Sequence, residues 1–553
     1  KEVFEMNDLK DKQLIVLLAG KGTRLYPLTY GFPKCLLSIR QKPAIYNMIL
    51  PLIKKGLKDI ILVVSSENKA LVKEFFDNSF KNLNLNINYI IQNNIDGPGS
   101  ALMATKNFIN KPVILLLGDT LCTYPENYDY SWIGVNKVSN SEKSKYCMIE
   151  SKNQFISKIY DKPNDKVKTD DAAIGIYFFK NPKLLKEVLN VKIKRKHDEY
   201  QISSYIELYM LREKIKLINI EDWQDIGTLE NYMEVNRHSF NSRNFNTLFL
   251  DELGVIHKKS LFEKISSEMD WFKEIVNTDF EKLTPKFYNN NRFSSEYGIE
   301  YYDYLTLSEY MTFYPLPYEN KQVIFKNIIR QLKKVYNKNK IISLEFNDLF
   351  KKILIDKTIK RLKDWNRKDI VNCDNITING TNYFGVLKCL NTLTSSIEKI
   401  CDDSINYTTI IHGDPAFSNI LFAPRSMNFK LIDARGNFGI DTIYGDYRYD
   451  LAKLRHCYHG RYDEIVNDLF DINLTSNNKK TKEFIIKYFK ELNYKEFDEI
   501  LSDNEINIDD IELIEGLLFI SMIPLHNDYP ERQLAFFTQG IIMLNNQIKR
   551  RGL

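Results

Sequence analysis

The stretch LLAGKGTRLYPLTYGFPKCLL, residues 17–37, decides the fold of the first part of the chain. It continues the apolar run QLIVLLAG (13–20), which is typical of a buried strand that ends in a glycine-rich turn. Similar runs follow at 59–66, 87–92 and 112–119, with helix-like segments between them. This alternation predicts a sheet of mainly parallel strands covered by helices, with ligands bound at the carboxyl ends of the strands.

The turn itself carries residues suited to an anionic ligand. Gly20 and Gly22 let the backbone approach a ligand closely, and the amides of such a turn can cradle phosphates. Arg24 and Lys34 add positive charge beside them. A glycine-rich turn alone is equally consistent with a tight strand-to-helix connection, so the interpretation depends on what lies at the other strand ends.

Two aspartates stand at such positions. Asp119 ends the run LLLGDT, and Asp225 lies far downstream in WQDIGT. Each alone is more typical of a turn or a helix cap. Together with the glycine turn and Lys34, two carboxylates that converge on one Mg²⁺ favour phosphoryl chemistry.

Residues 13–235 resemble the sugar nucleotidyltransferases, the family of glucose-1-phosphate thymidylyltransferase and mannose-1-phosphate guanylyltransferase. The resemblance implies that a phosphomonoester oxygen attacks the α-phosphorus of an NTP and releases pyrophosphate without a covalent enzyme intermediate. Leu18 stands where members usually carry Ala or Gly next to the base pocket, so the base stays open. The implied roles are NTP-phosphate binding by Gly20, Gly22, Thr23 and Arg24, assistance at the α-phosphate by Lys34, base contact by Gln92 and Gly97, Mg²⁺ binding by Asp119 and Asp225, contact with the acceptor phosphate by Lys162, and sugar contact by Gly175 and Glu199.

The alternating pattern stops after about residue 235, and we predict a domain boundary near residue 240. The first domain would span 1–240 and the second 241–553, divided into a small lobe (about 241–315) and a helical large lobe (about 316–553). The sequence of residues 241–315 predicts a hairpin, a helix and a strand that leads into a hinge. Residues 320–400 and 480–550 are predicted to be mainly helical.

The second domain contains HGDPAFSN, residues 412–419, after a strand-like segment. Asp414 is suitably placed to take the proton of an attacking hydroxyl. Asn419, and Asp433 in FKLIDARG fourteen residues later, could supply the amide and carboxylate oxygens that Mg²⁺ requires beside ATP. The spacing Asp-x4-Asn followed by a strand that ends in Asp is the catalytic spacing of protein-kinase-like folds. His412 is best interpreted as a residue that braces the loop.

The loop resembles that of the aminoglycoside phosphotransferase and choline kinase family, which is likewise His-Gly-Asp-x4-Asn, and Asp450 would brace it. A glycine-rich phosphate cover is not evident. By position, the resemblance implies that Lys258 or Lys259 contacts the ATP phosphates, with Glu268 as the partner of that lysine. The open alternative is that these lysines only form the solvated, charged edge of a strand. The predicted fold class is therefore α/β: a Rossmann-like mixed-sheet nucleotidyltransferase domain followed by a protein-kinase-like α+β domain.

The two resemblances suggest one pathway, because a kinase makes phosphomonoesters and a nucleotidyltransferase consumes them. The expected product is an NDP-activated precursor for surface polysaccharide, made from a sugar or small alcohol, ATP and an NTP. The alternatives are CTP-dependent activation of choline or a polyol, for which the aromatic stretch YGIEYYDYL (297–305) could cage a cation, and a kinase-like module that only binds or acts on an unrelated substrate.

The bulk properties agree with small anionic substrates. The 553 residues carry a net charge of only +5 with no dense basic block, so a nucleic-acid partner is not expected. Seven scattered cysteines suit a reducing compartment. Without an apolar run of about 18 residues, no membrane insertion is expected, and the predicted location is cytoplasmic. A homo-oligomer is an open alternative.

Overall fold

The computed structural model describes residues 9–126, 128–164, 167–238, 247–288, 295–314, 318–341, 345–438, 442–477, 481–491, 495–503 and 506–553. The chain divides into two compact units. The N-terminal unit is Lys1–Asp77 with Leu83–Phe240, and the C-terminal unit is Asn78–Asn82 with Asn241–Leu553. The predicted boundaries near 240 and 315 themselves fall within 239–246 and 315–317, outside the described residues.

The strands of the N-terminal unit are β1 Gln13–Leu17, β2 Ser38–Ile39, β3 Lys42–Pro43, β4 Asp59–Val64, β5 Asn86–Ile91, β6 Val113–Leu117, β7 Thr120–Leu121, β8 Ser131–Lys137, β9 Cys147–Lys152, β10 Phe155–Asp161, β11 Asp171–Phe179, β12 Ile215–Asn219 and β13 Gln224–Asp225. The helices of this part of the chain are α1 Ala44–Lys54, α2 Lys69–Ser79, α3 Pro98–Ala104, α4 Pro182–Leu189, α5 Ile202–Met210 and α6 Leu229–His238.

Nine of these strands form one mixed sheet in the order β5-β4-β1-β6-β11-β8-β12-β10-β9. Strand β1 is parallel to both β4 and β6, with Leu17 opposite Val63 and Leu117, whereas β11 runs antiparallel to β6. All five residues of β1 are buried, because helices cover both faces of such a sheet. The carboxyl ends of β1 and β6 therefore meet at the same edge, where the glycine turn and Asp119 begin.

A second, two-stranded ladder brings the distant aspartate to this edge. Strands β7 and β13 pair antiparallel, with Asp225 opposite Thr120. The amide of Ile226 also donates to the carbonyl of Asp119 at 3.1 Å. Both predicted metal ligands are thus positioned by one short ladder.

The strands of the C-terminal unit are β14 Thr247–Leu250, β15 Val255–Lys259, β16 Phe287–Tyr288, β17 Glu296–Glu300, β18 Leu305–Thr306, β19 Asn375–Ile378, β20 Thr381–Phe384, β21 Thr408–Ile410, β22 Ile420–Ala423, β23 Asn428–Leu431, β24 Tyr444–Asp446, β25 Phe470–Asn477 and β26 Thr481–Tyr488. The helices are α7 Phe262–Glu274, α8 Leu307–Phe313, α9 Tyr318–Lys338, α10 Glu345–Lys351, α11 Lys357–Asp364, α12 Lys368–Val371, α13 Val386–Asp402, α14 Tyr447–Tyr458, α15 Tyr462–Val466, α16 Lys495–Asp503, α17 Ile508–Met522 and α18 Pro530–Arg551.

This unit starts with the four-stranded sheet β14-β15-β17-β16 and helix α7. It continues with helices among which three further sheets are set, of three, four and two strands. Its buried apolar core is continuous from Ile265 in α7 to Ile548 in α18. Within the described ranges, none of the helices of the chain combines the length and apolarity that a bilayer span requires.

The segments 320–400 and 480–550, which were predicted to be mainly helical, also contain strands of two hairpins that the sequence analysis did not predict. Strands β19 and β20 pair at 375–384, and β25 and β26 pair at 470–488, with β19 parallel to β26. In β26, Lys482, Phe484 and Ile486 are buried while alternate residues are not. This period of two marks a half-buried strand and was readable from TKEFIIKY.

Candidate active sites

The glycine turn of the N-terminal unit is packed against Thr29 at Gly22 and faces open space at Gly20. Gly22 adopts a left-handed conformation (φ 64°) immediately before a 3₁₀ turn at Thr23–Leu25. The hydroxyl of Thr29 donates to the carbonyl of Gly22 at 2.7 Å, and a Cβ added at Gly22 would lie 3.1 Å from the Thr29 methyl group. A Cβ added at Gly20 would meet no described atom within 4 Å. The backbone at Gly20 therefore faces open space that a ligand could fill.

Asp119 lies beside both of the predicted cations. The Nζ atom of Lys34 is 2.7 Å from its Oδ2 atom, across 85 positions of sequence. Burial by itself would raise the pKa of Asp119, but Lys34, and after it Arg24, outweigh burial and lower it. The Asp119 carboxylate is therefore charged at neutral pH.

Asp225 occupies a different electrostatic environment. It accepts hydrogen bonds from the amide of Gly227 at 2.7 Å and from the hydroxyl of Tyr146 at 3.0 Å. A Cβ added at Gly227 would lie 2.7 Å from Asp225 and 3.3 Å from Asp119, so glycine allows the two carboxylates to approach each other. Burial and the nearby charge of Asp119 raise the pKa of Asp225. Tyr146 was not predicted, and no local pattern in the sequence indicates it.

The pair of carboxylates fits Mg²⁺ by its chemistry. Both donors are hard oxygen atoms, and their mutual repulsion, visible in the raised pKa of Asp225, would be relieved by a cation. Among the described residues, no three His, Cys, Asp or Glu side chains gather as a metal site. Mg²⁺ commonly uses one or two carboxylates and completes its shell with water and substrate phosphates, which suits this pair.

The residues predicted to meet the base and the sugar are brought together in part. Gln92 is buried and donates to the carbonyl of Gly97 at 3.2 Å and to Ser100 at 2.7 Å. Gly97 (φ 114°) packs so closely against 199–200 that an added Cβ would lie 2.8 Å from the Cβ of Glu199. These three predicted residues therefore line one region, and Glu199 also accepts a hydrogen bond from Gln201 at 3.0 Å.

Gly175 packs against the residue that follows Asp119, because an added Cβ would approach the Thr120 hydroxyl to 2.5 Å. Lys162 has a left-handed backbone (φ 45°), and its amide donates to the carbonyl of Tyr146 at 3.1 Å. Leu18 is buried, and its methyl group would be 2.9 Å from a Cβ at Gly118. Leu18 therefore packs on the backbone that leads to Asp119.

The C-terminal unit presents a second constellation around Lys258. Its Nζ atom lies 2.7 Å and 3.0 Å from the two carboxylate oxygens of Glu268, and 3.0 Å from Oδ1 of Asp433. Lys258 and Glu268 are buried, and the Tyr297 hydroxyl donates to Glu268. Burial alone would lower the pKa of Lys258, but Asp433 and Glu268 raise it, so the amine is charged.

The structure distinguishes the two lysines that the sequence left as alternatives. Lys259 is exposed, because consecutive side chains of strand β15 point to opposite faces of the sheet. Only Lys258 points toward Glu268. The aromatic stretch at 297–305 is likewise partly structural: Tyr297 is buried between Phe272 and Phe287, with ring centroids 5.9 Å and 5.5 Å away.

The side chain of Asp450 holds the loop that carries Asp414 by accepting hydrogen bonds from its backbone. Both oxygens of Asp450 accept backbone amides, from His412 and Gly413, each at 2.8 Å, and the Tyr336 hydroxyl donates to Asp450 at 3.0 Å. Burial raises the pKa of Asp450 to about 7, while these three donors favour its charged form. Burial also lowers the pKa of His412 to about 4, so this imidazole is neutral.

Backbone contacts join this loop to Asp433. The amide of Ile432 donates to the carbonyl of Asn419 at 3.0 Å, and the amide of Arg435 donates to the carbonyl of His412 at 2.8 Å. Asn419 itself donates to the carbonyl of Asp414 at 2.9 Å. The predicted set of Asp414, Asn419 and Asp433 thus lies on two adjoining loops.

The sequence interpretation missed the partner of Asp414. The Nζ atom of Lys453 lies 3.1 Å from Oδ1 of Asp414. Burial alone would raise the pKa of this carboxyl, but Lys453 lowers it. Lys453 follows Asp450 by three positions on helix α14, a spacing that places both on one face, and this signal could have indicated it.

In the N-terminal unit, the turn and the paired aspartates at the strand ends define the class of nucleotidyltransferases. Residues 13–242 match the model of the nucleotidyl transferase family, described as NTP_transferase. This unit therefore contains a nucleotidyl transferase domain. The match ends at residue 242, and nothing in it bears on the C-terminal unit.

The same part of the chain is similar to several characterised proteins. The "Bifunctional protein GlmU" of Methanococcus aeolicus is 31% identical over 230 residues, which are 40% of this chain and 53% of that protein. Glucose-1-phosphate thymidylyltransferase of Neisseria meningitidis is 29% identical over 179 residues, 30% of this chain and 61% of that protein. A solved UDP-glucose pyrophosphorylase with UDP-glucose is 24% identical with a TM-score of 0.38, covering 42% of this chain and 99% of its own. The chain spans about half the length of the curated relatives it matches first.

Proposed function

We propose that the N-terminal unit transfers a nucleotidyl group from an NTP to a sugar phosphate. The observation that carries this proposal is the meeting of Asp119, Asp225, Lys34 and the glycine turn at one sheet edge. An oxygen of the phosphomonoester forms a bond to the α-phosphorus, and the bond from that phosphorus to the bridging oxygen breaks, so that pyrophosphate leaves. Lys34 and Arg24 stabilise the negative charge that develops, while the turn amides hold the phosphates.

Mg²⁺, when bound to Asp119 and Asp225, would neutralise phosphate charge and orient the leaving group. Gln92 and Gly97 would contact the base. Glu199, Gly175 and Lys162 would contact the sugar phosphate. The buried position of Gln92 supports a role in shaping the base pocket.

We further propose that the C-terminal unit is a kinase that makes the phosphomonoester. The contact of Lys258 with both Glu268 and Asp433 supports this proposal, because a buried lysine held between a helix glutamate and the metal-binding aspartate is what positions ATP phosphates in kinase-like enzymes. Asp414 would accept the proton of the acceptor hydroxyl as its oxygen bonds to the γ-phosphorus and ADP leaves. Asn419 and Asp433 carry the oxygens that Mg²⁺ would use there. The product of the two steps would be an NDP-activated precursor of the kind used in surface polysaccharides.

Mass spectrometry tests both proposals at once. The full chain is incubated with ATP, one NTP at a time and a panel of unphosphorylated sugars, polyols and choline. We expect an NDP-linked product from the unaltered chain, accumulation of the phosphomonoester in Asp119→Asn, and no product in Asp414→Asn. Formation of NDP products only from acceptors that are already phosphorylated would refute the kinase proposal and leave the nucleotidyltransferase proposal intact.

A further inference from the structure

Four basic side chains lie on the elements around the loop that carries Asp414, and the proposed ATP site does not use them. Lys357 begins helix α11 and Arg361 lies one turn further on. Arg435 follows Asp433 by two positions, and Lys453 lies on helix α14. Lys357 is half-buried, and its side chain makes no hydrogen bond or ion pair with any described residue.

Contacts from three elements converge here. Lys453 lies 3.1 Å from Asp414 and 3.9 Å from the sulfur of Met522. Arg361 donates to the carbonyl of Ser521, the preceding residue of helix α17, at 2.8 Å. The side chains of Arg361 and Lys453 are thus held by adjacent residues at the same end of one helix.

Arg435 reaches the same loop from another direction. Its amide donates to the carbonyl of His412, and its Cβ would lie 2.9 Å from a Cβ added at Gly413. Its guanidinium lies 3.4 Å from the Tyr449 hydroxyl, one turn before Lys453 on helix α14. The described residues supply no carboxylate that pairs with Lys357, Arg361 or Arg435.

The electrostatics of the group agree with this geometry. Burial, followed by the charges of Arg435, Arg361 and Lys453, lowers the pKa of Lys357 to about 6, and only Asp414 acts in the opposite direction. Burial and Arg435 also lower the pKa of Arg361. Asp414 is the one carboxylate that acts on this group, and it already pairs with Lys453. The remaining like charges are unfavourable together, and an anion bound among them would relieve this repulsion.

We propose that Lys357, Arg361 and Arg435 form a site for an anionic group of the acceptor, either a carboxylate or a phosphate, beside the hydroxyl that Asp414 deprotonates. This inference rests on the proposed kinase function and names its substrate class. The ATP phosphates have their own cation in Lys258 on strand β15, whereas the three new cations come from helix α11 and the segment after Asp433. A cationic acceptor such as choline would be repelled here.

The acceptor panel tests this proposal with matched pairs: glucose against glucuronate and glucose 6-phosphate, and glycerol against glycerate and glycerol 3-phosphate. We expect an anionic member to be phosphorylated with a kcat/KM at least about 10-fold above that of its uncharged partner, the scale of one charge-assisted contact. The uronate and glycerate arms distinguish carboxylate from phosphate recognition. Equal rates for charged and uncharged partners would overturn the proposal.

Variants distinguish a role of these residues in acceptor binding from a role in ATP binding. Lys357→Met and Arg361→Gln should each raise the KM for the anionic acceptor about 10-fold and leave the KM for ATP within about twofold. The control is Lys360→Gln, which removes an exposed charge from the same helix and should change neither constant. If the KM for ATP rises instead, the cations serve the nucleotide and the proposal is wrong.

A labelling experiment on the unaltered chain is independent of kinase turnover and of variant folding. In the free protein, the pKa of about 6 leaves Lys357 largely neutral at pH 7, so acetic anhydride should acetylate it readily. A bound anion would raise this pKa and restore the positive charge with which Lys357 holds the anion. Glucuronate or glycerol 3-phosphate should protect Lys357 from acetylation, and glucose and glycerol should not. If no acceptor consumes ATP, the proposed kinase function fails. Protection would then still support the anion site, and its absence would overturn it.

Discussion

The side-chain amine of Lys258 lies 3.0 Å from a carboxylate oxygen of Asp433, although 175 positions separate the two residues along the chain. The same amine contacts both oxygens of Glu268. One buried cation therefore links the sheet that opens the C-terminal unit, helix α7 and the loop beside Asp414. A strand edge that was merely solvated would have no such contacts.

Replacement of Lys258 should abolish phosphorylation by ATP while its neighbour is dispensable. We expect Lys258→Met to lower kcat/KM for ATP by at least about 100-fold, because a positive charge on the transferring phosphates is lost. Steady-state ADP release measures it. Lys259→Met is the matched control, since Lys259 is exposed on the same strand, and its rate should stay within about twofold of the unaltered chain. Equal losses in both variants would contradict the assignment.

Nucleotidyl transfer should depend on Asp119 and Asp225 but not on a carboxylate nearby. Asp119→Asn and Asp225→Asn should each lower the rate by about 100-fold or more, because each removes a carboxylate that would hold Mg²⁺. Binding of Mn²⁺ in place of Mg²⁺, followed by electron paramagnetic resonance, gives a readout apart from activity and should weaken in both variants. Asp222→Asn is the control, because the exposed Asp222 binds only Thr123 in the described residues. Unchanged Mn²⁺ affinity in Asp119→Asn would refute the metal site.

The pH profile of the kinase step should respond to Lys453. Because Lys453 lowers the pKa of Asp414, this base stays charged as the pH falls to its ordinary range near 3.8, and the rate should show no acidic limb from it between about pH 5 and 8. Without the cation, burial raises the pKa of Asp414, so Lys453→Met should move the acidic limb to higher pH. Lys453→Arg keeps the charge and should restore the flat profile. An unshifted profile in Lys453→Met would show that Lys453 does not act through Asp414.

A buried ion network should contribute strongly to the stability of the C-terminal unit. Arg455 is fully buried, contacts Glu515, and donates to Asp498 at 2.7 Å. Arg455→Met would leave the buried carboxyl of Glu515 without its partner, and we expect a loss of about 3–5 kcal/mol in the free energy of unfolding. Calorimetry of the full chain should show an earlier transition.

The matched control for that loss is the partly exposed pair of Lys273 and Asp270, 2.9 Å apart on helix α7. Lys273→Met should cost less than about 1 kcal/mol, as is usual for surface ion pairs. Equal losses of unfolding free energy in Arg455→Met and Lys273→Met would show that burial of the ion network does not determine its contribution to stability.

The sequence by itself was enough to predict the candidate sites whose residues follow each other at short spacing. The glycine turn with Arg24 and Lys34 and the Asp-x4-Asn loop are local patterns, so their residue types could be interpreted without coordinates. The buried strands that lead to the turn and to Asp119 were likewise predictable, because continuous apolar runs with helices between them are typical of a covered sheet.

Only the tertiary structure decided the pairings, because burial and long-range contact have no local signature. The structure distinguished Lys258 from Lys259 by the direction of each side chain on strand β15. The alternation along a strand shows that the two side chains point to opposite faces, but not which face is buried. It also showed that the side chain of Lys34 contacts Asp119, 85 positions away, and that Lys453 contacts Asp414. The cations at Lys357, Arg361 and Arg435 are scattered in sequence, and they become one group only because a helix and two loops pack together.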